Sequence, residues 1–269
     1  MRLAFRVAYL GDGFFGSQVQ ADRRTVEGEM IAACRRLALF EDWREARFAF
    51  AGRTDRGVHA LGQVAAFDTP EPERAGAALN IQLPRDCWCT GIAGVPPAFH
   101  PRYDARSRTY RYFFPKIALD RDTMARACGL FAGKHDFSRF ARVEGKDPVR
   151  HVLSSRLLDD RGFACLEVTA ESFLWQMVRG MAGAILAVGQ GLLGEDGLRE
   201  LLAGPPGERF PPAPSSGLVL WEVDCGIGGF EPLEQSPRSS AFLATVRGHH
   251  ELMALVTSLL EEGPGGGRL

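Results

Sequence analysis

A short charged loop between two glycines is the feature that most constrains how this chain can fold. The loop, Gly52-Arg-Thr-Asp-Arg-Gly57, carries both signs of charge within six residues. Apolar runs stand on either side of it, at residues 48–50 and 62–68. Short apolar runs bounded by glycine are typical of β-strands joined by a tight loop. The sequence therefore predicts a loop that presents charged side chains between two strands.

The chemistry of this loop centres on Asp55, which stands between Arg53 and Arg56. A carboxylate held between two guanidinium groups is stabilised in its ionised form. Such a group is a poor general acid near neutral pH, but it can act as a charged nucleophile or hold a cation. By composition alone, an exposed turn with a surface ion pair is the alternative. The loop by itself leaves both interpretations open.

The order of the periodic segments predicts an α+β fold in two similar halves. Residues 1–100 have the pattern strand, helix, strand, strand, helix, strand, and Thr25 is placed to cap the first helix. A boundary follows at Pro96-Pro97, and residues 101–230 contain a second unit of similar pattern. This alternation is typical of an antiparallel sheet with helices on one face. Residues 231–269 are expected to add a helical extension and a flexible tail.

Composition excludes several classes of protein. The chain has 269 residues, 45% of them hydrophobic, which is enough to bury a sizeable core. Its most apolar run, residues 174–193, contains Gln176, Arg179 and Gln190, so it does not predict a membrane span. Six scattered cysteines without metal-ligand spacing predict reduced, partly buried thiols. The first residues lack a signal-peptide pattern, and we expect a soluble cytoplasmic protein.

The net charge of −1 conceals a strongly basic segment. From Arg102 to Arg156 there are thirteen Lys and Arg against six Asp and Glu. Cations interleaved with aromatic side chains are what contact with a polyanion and stacking on bases require; a solvated, charged sheet surface is the alternative. Arg108, Tyr110 and Tyr112 share one face of an alternating strand, which suits the wall of a wet cleft better than a core.

Arg179 lies within an apolar helix predicted over residues 175–188. Gly180 and Gly183 in that helix permit close approach of another backbone. A buried arginine is costly unless it meets a carboxylate, whereas an arginine that extends to solvent costs little. Pairing of Arg179 with a catalytic aspartate is the more specific of the two interpretations.

Gly52-Arg-Thr-Asp55 followed by Gly57-Val-His-Ala60 resembles the catalytic-loop signature of the tRNA pseudouridine synthase A family. Further motifs of that family follow in the same order along the chain. They are Asn80-x-x-Leu-Pro84, Phe99-His100, Tyr110-Arg-Tyr112, His135-Asp-Phe-Ser138, Phe173 to Met177-Val-Arg179, and Gly217-Leu-Val-Leu220. The ordered set spans about residues 4–224 and is specific, although each motif alone is not. It favours the catalytic interpretation of Asp55.

The resemblance implies an isomerase that converts uridine to pseudouridine in tRNA without a cofactor or a metal. The targets implied lie on the 3′ side of the anticodon stem-loop, at positions 38–40. The two α+β halves are expected to meet at a central basic cleft, and the protein to act as a homodimer. In this chemistry the uracil leaves its glycosidic bond, rotates and is reattached through carbon. The enzyme therefore needs a nucleophile but no redox group.

By the same resemblance, Asp55 is the expected nucleophile, attacking either C1′ of the ribose or C6 of the uracil. Arg179 is expected to pair with Asp55, which keeps the carboxylate ionised and directed. Tyr110 is expected to stack on the uracil and to assist proton transfer.

The remaining expected site residues contact the substrate. Arg53 is placed to hold a phosphate or to fill the space left when the base flips out. Leu218 supplies an apolar contact under the base, and Arg56 and His59 belong to the same loop as the nucleophile. Two departures from the family pattern affect this cleft. Arg56 replaces the alanine of many bacterial members, and Trp175-Gln176 replaces a more polar pair.

Two other functions compete with this hypothesis. A non-catalytic RNA-binding protein could use the same basic cleft, but it has no use for a carboxylate among phosphates. A metal-assisted hydrolase could combine Asp55 with Asp68 or His59, but a divalent cation there would face two arginines. The sequence favours the isomerase over both.

Overall fold

A single mixed β-sheet organises this computed structural model, in which residues 1–204 and 207–262 are described. Within those residues, the ten strands are β1 (Arg2–Tyr9), β2 (Ala49–Phe50), β3 (His59–Asp68), β4 (Cys87–Gly94), β5 (Ser107–Phe113), β6 (Gly133–Asp136), β7 (Val149–Asp160), β8 (Phe163–Ala170), β9 (Leu218–Asp224) and β10 (Glu231–Pro232). Nine of them follow the order β10-β4-β1-β3-β9-β5-β8-β7-β6, and β2 pairs with β3 outside this order.

Helices alternate with these strands, so the predicted α+β class is confirmed. They are α1 (Val26–Arg36), α2 (Pro72–Gln82), α3 (Arg121–Gly129), α4 (Met177–Gly189), α5 (Glu195–Ala203) and α6 (Pro237–Glu262). Thr25 caps α1 as predicted, because its hydroxyl accepts a hydrogen bond from the amide of Gly28 at 3.2 Å. Across the described part of the chain, no helix combines the length and the apolarity needed to cross a bilayer.

The strands of the two predicted halves join in one sheet rather than forming two. The connection is a short parallel pairing of β3 with β9, in which His59 lies opposite Val219 and Ala60 opposite Leu220. The other pairings between these named strands are antiparallel. Contacts between strands so far apart in the chain leave no local sequence signal. The division into residues 1–100, 101–230 and 231–269 stays a prediction.

A few element bounds differ from the predicted ones. The helix predicted from Trp175 begins at Met177, because Gln176 adopts a left-handed conformation with φ of 63°. The last helix begins at Pro237, five residues earlier than predicted. Strands β6 and β10 were not predicted, since both are short and lack apolar alternation. The tail of residues 263–269, predicted to be flexible, lies outside the described residues.

Close packing fixes α4 against the rest of the molecule. A Cβ added at Gly180 would overlap the carbonyl oxygen of Phe140, and one added at Gly183 would overlap that of Pro211. The prediction that both glycines permit close backbone approach is therefore confirmed. The six cysteines are also free thiols, five of them buried, as predicted.

Candidate active site

An open cleft of about 940 Å³ lies between the loop that precedes β3 and the start of α4. Residues from both parts of the sheet line it. Six of the seven predicted site residues are among them: Arg53, Asp55, Arg56, Tyr110, Arg179 and Leu218. The structure thus brings together side chains that are far apart in the chain.

Hydrogen bonds from three segments hold the loop that carries Asp55. The amide of Thr54 donates to the hydroxyl of Ser17 at 2.8 Å, and the hydroxyl of Thr54 is hydrogen-bonded to that of Tyr9 at 2.7 Å. Gln63, which is fully buried on β3, donates its side-chain amide to the carbonyl of Gly52 at 2.9 Å. Buried polar groups bonded in this way rigidify a segment. The loop therefore presents Asp55 in a defined position.

Asp55 accepts hydrogen bonds from two side chains on the opposite side of the cleft. Nη1 of Arg179 lies 3.2 Å from its Oδ2, and Nε1 of Trp175 lies 2.8 Å from its Oδ1. The side chains of Arg179 and Asp55 are only 17% and 24% exposed. Arg179 is itself anchored, since its Nε donates to the carbonyl of Ala213 at 2.8 Å. Arg179 thus pairs with the carboxylate instead of extending to solvent.

The sequence neighbours of Asp55 have other partners. The guanidinium of Arg56 lies over the ring of Phe15, 4.4 Å from its centroid. Burial raises the pKa of Glu27, and the charge of Arg53 partly opposes that rise. The cation that meets Asp55 is therefore Arg179, because successive side chains of a tight loop point in different directions.

Tyr110 and Leu218 form an apolar part of the cleft lining. Tyr110 is 8% exposed, and its ring packs edge-on against Phe173 with centroids 5.1 Å apart. Burial raises the pKa of the Tyr110 hydroxyl, and the charge of Asp55 acts in the same direction. The hydroxyl is thus protonated at neutral pH and available as a donor. Leu218 is buried at the first position of β9.

Tyr112 corrects the prediction that one face of β5 forms the wall of a wet cleft. It is 3% exposed and packs against Phe114 with ring centroids 5.1 Å apart. Strand β5 lies between β8 and β9, and its register with β9 shifts between Thr109 and Tyr110. Tyr110 and Tyr112 both follow that shift and stay on one face of the strand, so alternation holds; an interior place in the sheet and the packing on that face bury Tyr112.

Arg108, on the same face of β5, does line the cleft. Its guanidinium, however, connects backbone segments through hydrogen bonds. It donates to the carbonyls of Ala51 at 2.9 Å, Arg102 at 2.7 Å and Glu171 at 2.8 Å. These three carbonyls belong to segments that precede the Asp55 loop, precede β5 and follow β8. Arg108 thus connects the Asp55 loop to strands β5 and β8.

His59 is the one predicted site residue that is absent from the described lining of the cleft. Its Nδ1 accepts a hydrogen bond from the amide of Gly11 at 2.9 Å. A neutral imidazole that accepts at Nδ1 carries its proton on Nε2, which lies 3.2 Å from the carbonyl oxygen of Ser216. Both ring nitrogens therefore bind backbone groups, and the ring connects two segments of the fold.

Asp68, the other carboxylate considered for metal-assisted hydrolysis, lies at the opposite end of β3 from His59. It forms ion pairs with Arg2 at 3.2 Å and with Arg47 at 2.6 Å. The structure does not bring it to Asp55. The pairing of Asp55 with Asp68 is therefore missing, and both ring nitrogens of His59, the other candidate, bind backbone groups.

Trp175 is the contact of Asp55 that the sequence did not identify. In the sequence, Trp175 is only a departure from the family pattern, because a tryptophan next to the start of a helix gives no sign of a contact with a distant carboxylate.

Arg142, Lys146 and Tyr103 add cationic and aromatic groups near the same cleft. Tyr103, which is exposed, packs at a tilt against His100 with ring centroids 4.4 Å apart. The basic segment thus reaches the site.

Comparisons with known proteins agree with these motifs. A family model described as tRNA pseudouridine synthase matches residues 6–104 and 127–224. A tRNA pseudouridine synthase A from Methanosphaerula palustris is 52% identical over 97% of this chain and 93% of the relative. One from Methanoculleus marisnigri is 53% identical over 97% and 96%, and one from Thermococcus kodakarensis is 42% identical over 86% and 87%.

One solved structure, a crystal structure of a Cbf5-Nop10-Gar1 complex, matches 69% of this chain and 54% of its own. The identity is 13% and the TM-score 0.32. A likeness of that size carries no argument about this chain.

Proposed function

This chain belongs to the tRNA pseudouridine synthase A family, and we propose that Asp55 is its nucleophile in isomerising uridines of the anticodon stem-loop. Membership of the family makes it a pseudouridine synthase, an isomerase. The observation that carries the proposal is the contact of Asp55 with Arg179 and Trp175 in an open cleft. A carboxylate directed by two donors is suited to attack carbon.

The reaction needs one bond broken and one formed on the same ribose. The bond from N1 of uracil to C1′ breaks, the base rotates, and a bond from C5 to C1′ forms. C5 then loses its proton and N1 gains one, so no net oxidation or reduction occurs. The carboxylate of Asp55 adds to C1′ or to C6 and leaves again. Arg179 binds Oδ2 of Asp55. This contact directs the other carboxylate oxygen toward the carbon that it attacks.

Tyr110 and Leu218 suit the uracil itself. The protonated hydroxyl of Tyr110 supplies a donor for the base, including for N1 as it gains its proton. Its ring and the side chain of Leu218 offer apolar surface to the flat face of a flipped base.

The loop arginines suit the phosphates of the RNA. Arg53 is exposed on the lining of the cleft, where a guanidinium can bind a phosphate in bidentate fashion. The guanidinium of Arg56, which also lines the cleft, is held over Phe15. Contacts of this kind set affinity and register rather than the rate of chemistry.

The test is pseudouridine formation by Asp55→Asn, followed as tritium release from tRNA labelled at C5 of uridine. We expect the rate to fall at least about 10³-fold, while the Kd for tRNA stays near that of the wild type. Asp12→Asn makes the same charge change at an exposed residue outside the cleft lining and serves as the control. Wild-type turnover by Asp55→Asn would refute the nucleophile.

Further measurements separate the competing functions and complete the proposal. Tight RNA binding without pseudouridine formation by the wild type would favour the non-catalytic RNA-binding protein. Activity that vanishes with a chelator would contradict a cofactor-free reaction. Stem-loops with single uridines at positions 38, 39 and 40 identify the targets. We also propose a homodimer, and sedimentation in solution measures it.

A further inference from the structure

Trp175 has a specific relation to the nucleophile that its place in the sequence does not explain. Its indole Nε1 donates to Oδ1 of Asp55 at 2.8 Å, whereas Arg179 binds the other oxygen at 3.2 Å. The torsion that sets the plane of a carboxylate is broad and nearly two-fold. One donor on one oxygen therefore leaves the plane free to turn, while donors on both oxygens fix it.

The backbone around Trp175 is built to aim this side chain. Gln176 has φ of 63° and ψ of 5°, a conformation that residues other than glycine rarely adopt. Such strain persists where surrounding contacts determine it, and it concentrates at functional sites. Through this turn Trp175, just before α4, and Arg179, inside α4, both reach Asp55.

A neighbouring loop that contains Arg142 anchors Trp175. The amide of Arg142 donates to the carbonyl of Trp175 at 2.8 Å, forming an isolated β-bridge. The guanidinium of Arg142 lies over the indole, 4.7 Å from the ring centroid. One face of the ring is thus covered by a cation, although the side chain remains 42% exposed. Trp175 is anchored by backbone and side chain alike.

We infer that Trp175 is a positioning residue for the isomerisation: its indole N–H fixes the plane of the Asp55 carboxylate, which Arg179 alone would leave free to rotate. The inference rests on the proposed role of Asp55 as nucleophile. Rotation of the carboxylate does not prevent RNA from binding beside it, but a rotated carboxylate presents the wrong lone pair to the carbon that it attacks. Loss of the indole donor should therefore act on kcat and spare KM.

The test compares Trp175→Phe, which keeps an aromatic ring and removes the donor, with Trp43→Phe. Trp43 carries a similarly stacked guanidinium, that of Arg44 at 4.5 Å, outside the cleft lining. We expect Trp175→Phe to lower kcat about tenfold with KM for tRNA unchanged, and Trp43→Phe to retain both values. An unchanged kcat in Trp175→Phe would overturn the inference. So would a higher KM at wild-type kcat, which describes a residue that only contacts RNA.

A spectroscopic measurement keeps the inference testable without activity. The chain has four tryptophans, so the indole N–H region of a ¹H–¹⁵N spectrum is simple, and the Trp175 signal is the one lost in Trp175→Phe. We expect this signal to shift in Asp55→Ala while that of Trp43 stays in place. A Trp175 signal indifferent to Asp55→Ala overturns the positioning role. Activity in Asp55→Ala would instead refute the proposed nucleophile, so the two failures are distinguishable.

Discussion

Gly180 couples the packing of α4 to the geometry of Asp55. A Cβ at this position would overlap the carbonyl oxygen of Phe140 and lie 2.8 Å from its carbonyl carbon. Relief of that contact needs a displacement of about 1 Å, because non-bonded carbon atoms prefer separations of about 3.5–4.0 Å. Arg179 is the preceding residue, and its bond to Asp55 is already 3.2 Å long. Moving α4 outward by that amount takes the pair beyond hydrogen-bonding range.

We therefore expect Gly180→Ala to lower stability and activity together. Overpacking against a backbone costs about 3 kcal/mol, and alanine returns about 1 kcal/mol of helix propensity. The net loss of about 2 kcal/mol corresponds to a fall in Tm of about 4–8 °C for a chain of this size. Misplacement of Arg179 should lower kcat about 10²-fold. Calorimetry and single-turnover tritium release measure the two effects.

Gly129→Ala is the matched control, since it makes the same change at the last residue of α3. An added Cβ there meets no heavy atom within 4 Å. We expect an unchanged or slightly higher Tm and wild-type kcat. If Gly180→Ala behaved like Gly129→Ala in both assays, the close approach of α4 would not control the site and the reasoning would be refuted.

Three further substitutions test other parts of the structure. Arg108→Lys replaces a fork that reaches three carbonyls with a single amine, so we expect urea unfolding to show a loss of about 2 kcal/mol. Tyr110→Phe keeps the ring and removes the protonated hydroxyl, so kcat should fall about 10²-fold with KM for tRNA unchanged, as steady-state kinetics will show. Although burial opposes ionisation of Glu167, hydrogen bonds from Arg156 and Arg111 hold its pKa below the ordinary value. Because the folded pKa is depressed, the stability that this carboxylate supplies is present above pH 4.5 and is lost as the pH falls through the folded pKa. Glu167→Gln should therefore show a smaller difference in Tm between pH 7 and acid than the wild type; an equal difference would contradict this assignment.

Local patterns in the sequence predicted most of the elements but not how the sheet is assembled. Apolar alternation identified β1, and a capping threonine identified the start of α1, because both signals lie within a few residues. The parallel pairing of β3 with β9 and the edge pairing of β10 with β4 bring together segments far apart in the chain. Such contacts depend on the packing of the whole molecule, and the sequence of either segment carries no sign of its partner.

The same distinction holds for the site. Asp55 was predicted from its loop, and Arg179 from the cost of burying a guanidinium in an apolar helix. Trp175 was not predicted, because its direction depends on the left-handed turn at Gln176, which is no glycine and gives no turn signal. Tyr112 was assigned to the cleft because it shares a face with Tyr110, but packing against Phe114 buries it. Residue types thus predicted which side chains could form the site, but they did not predict where each side chain points.

The structure also explains why a histidine belongs to the loop motif while lying away from the cleft lining. Asp55 precedes β3, whereas Arg179 lies in the first turn of α4, which packs against β5 on the other side of the parallel pairing of β3 with β9. That pairing comprises two residue pairs. It is weak by itself, because few backbone hydrogen bonds contribute to it. The His59 ring adds hydrogen bonds to the backbone of Gly11 and of Ser216, and Ser216 lies two residues before the start of β9. The motif therefore combines Asp55, the proposed nucleophile, with a histidine that connects the two sides of the site.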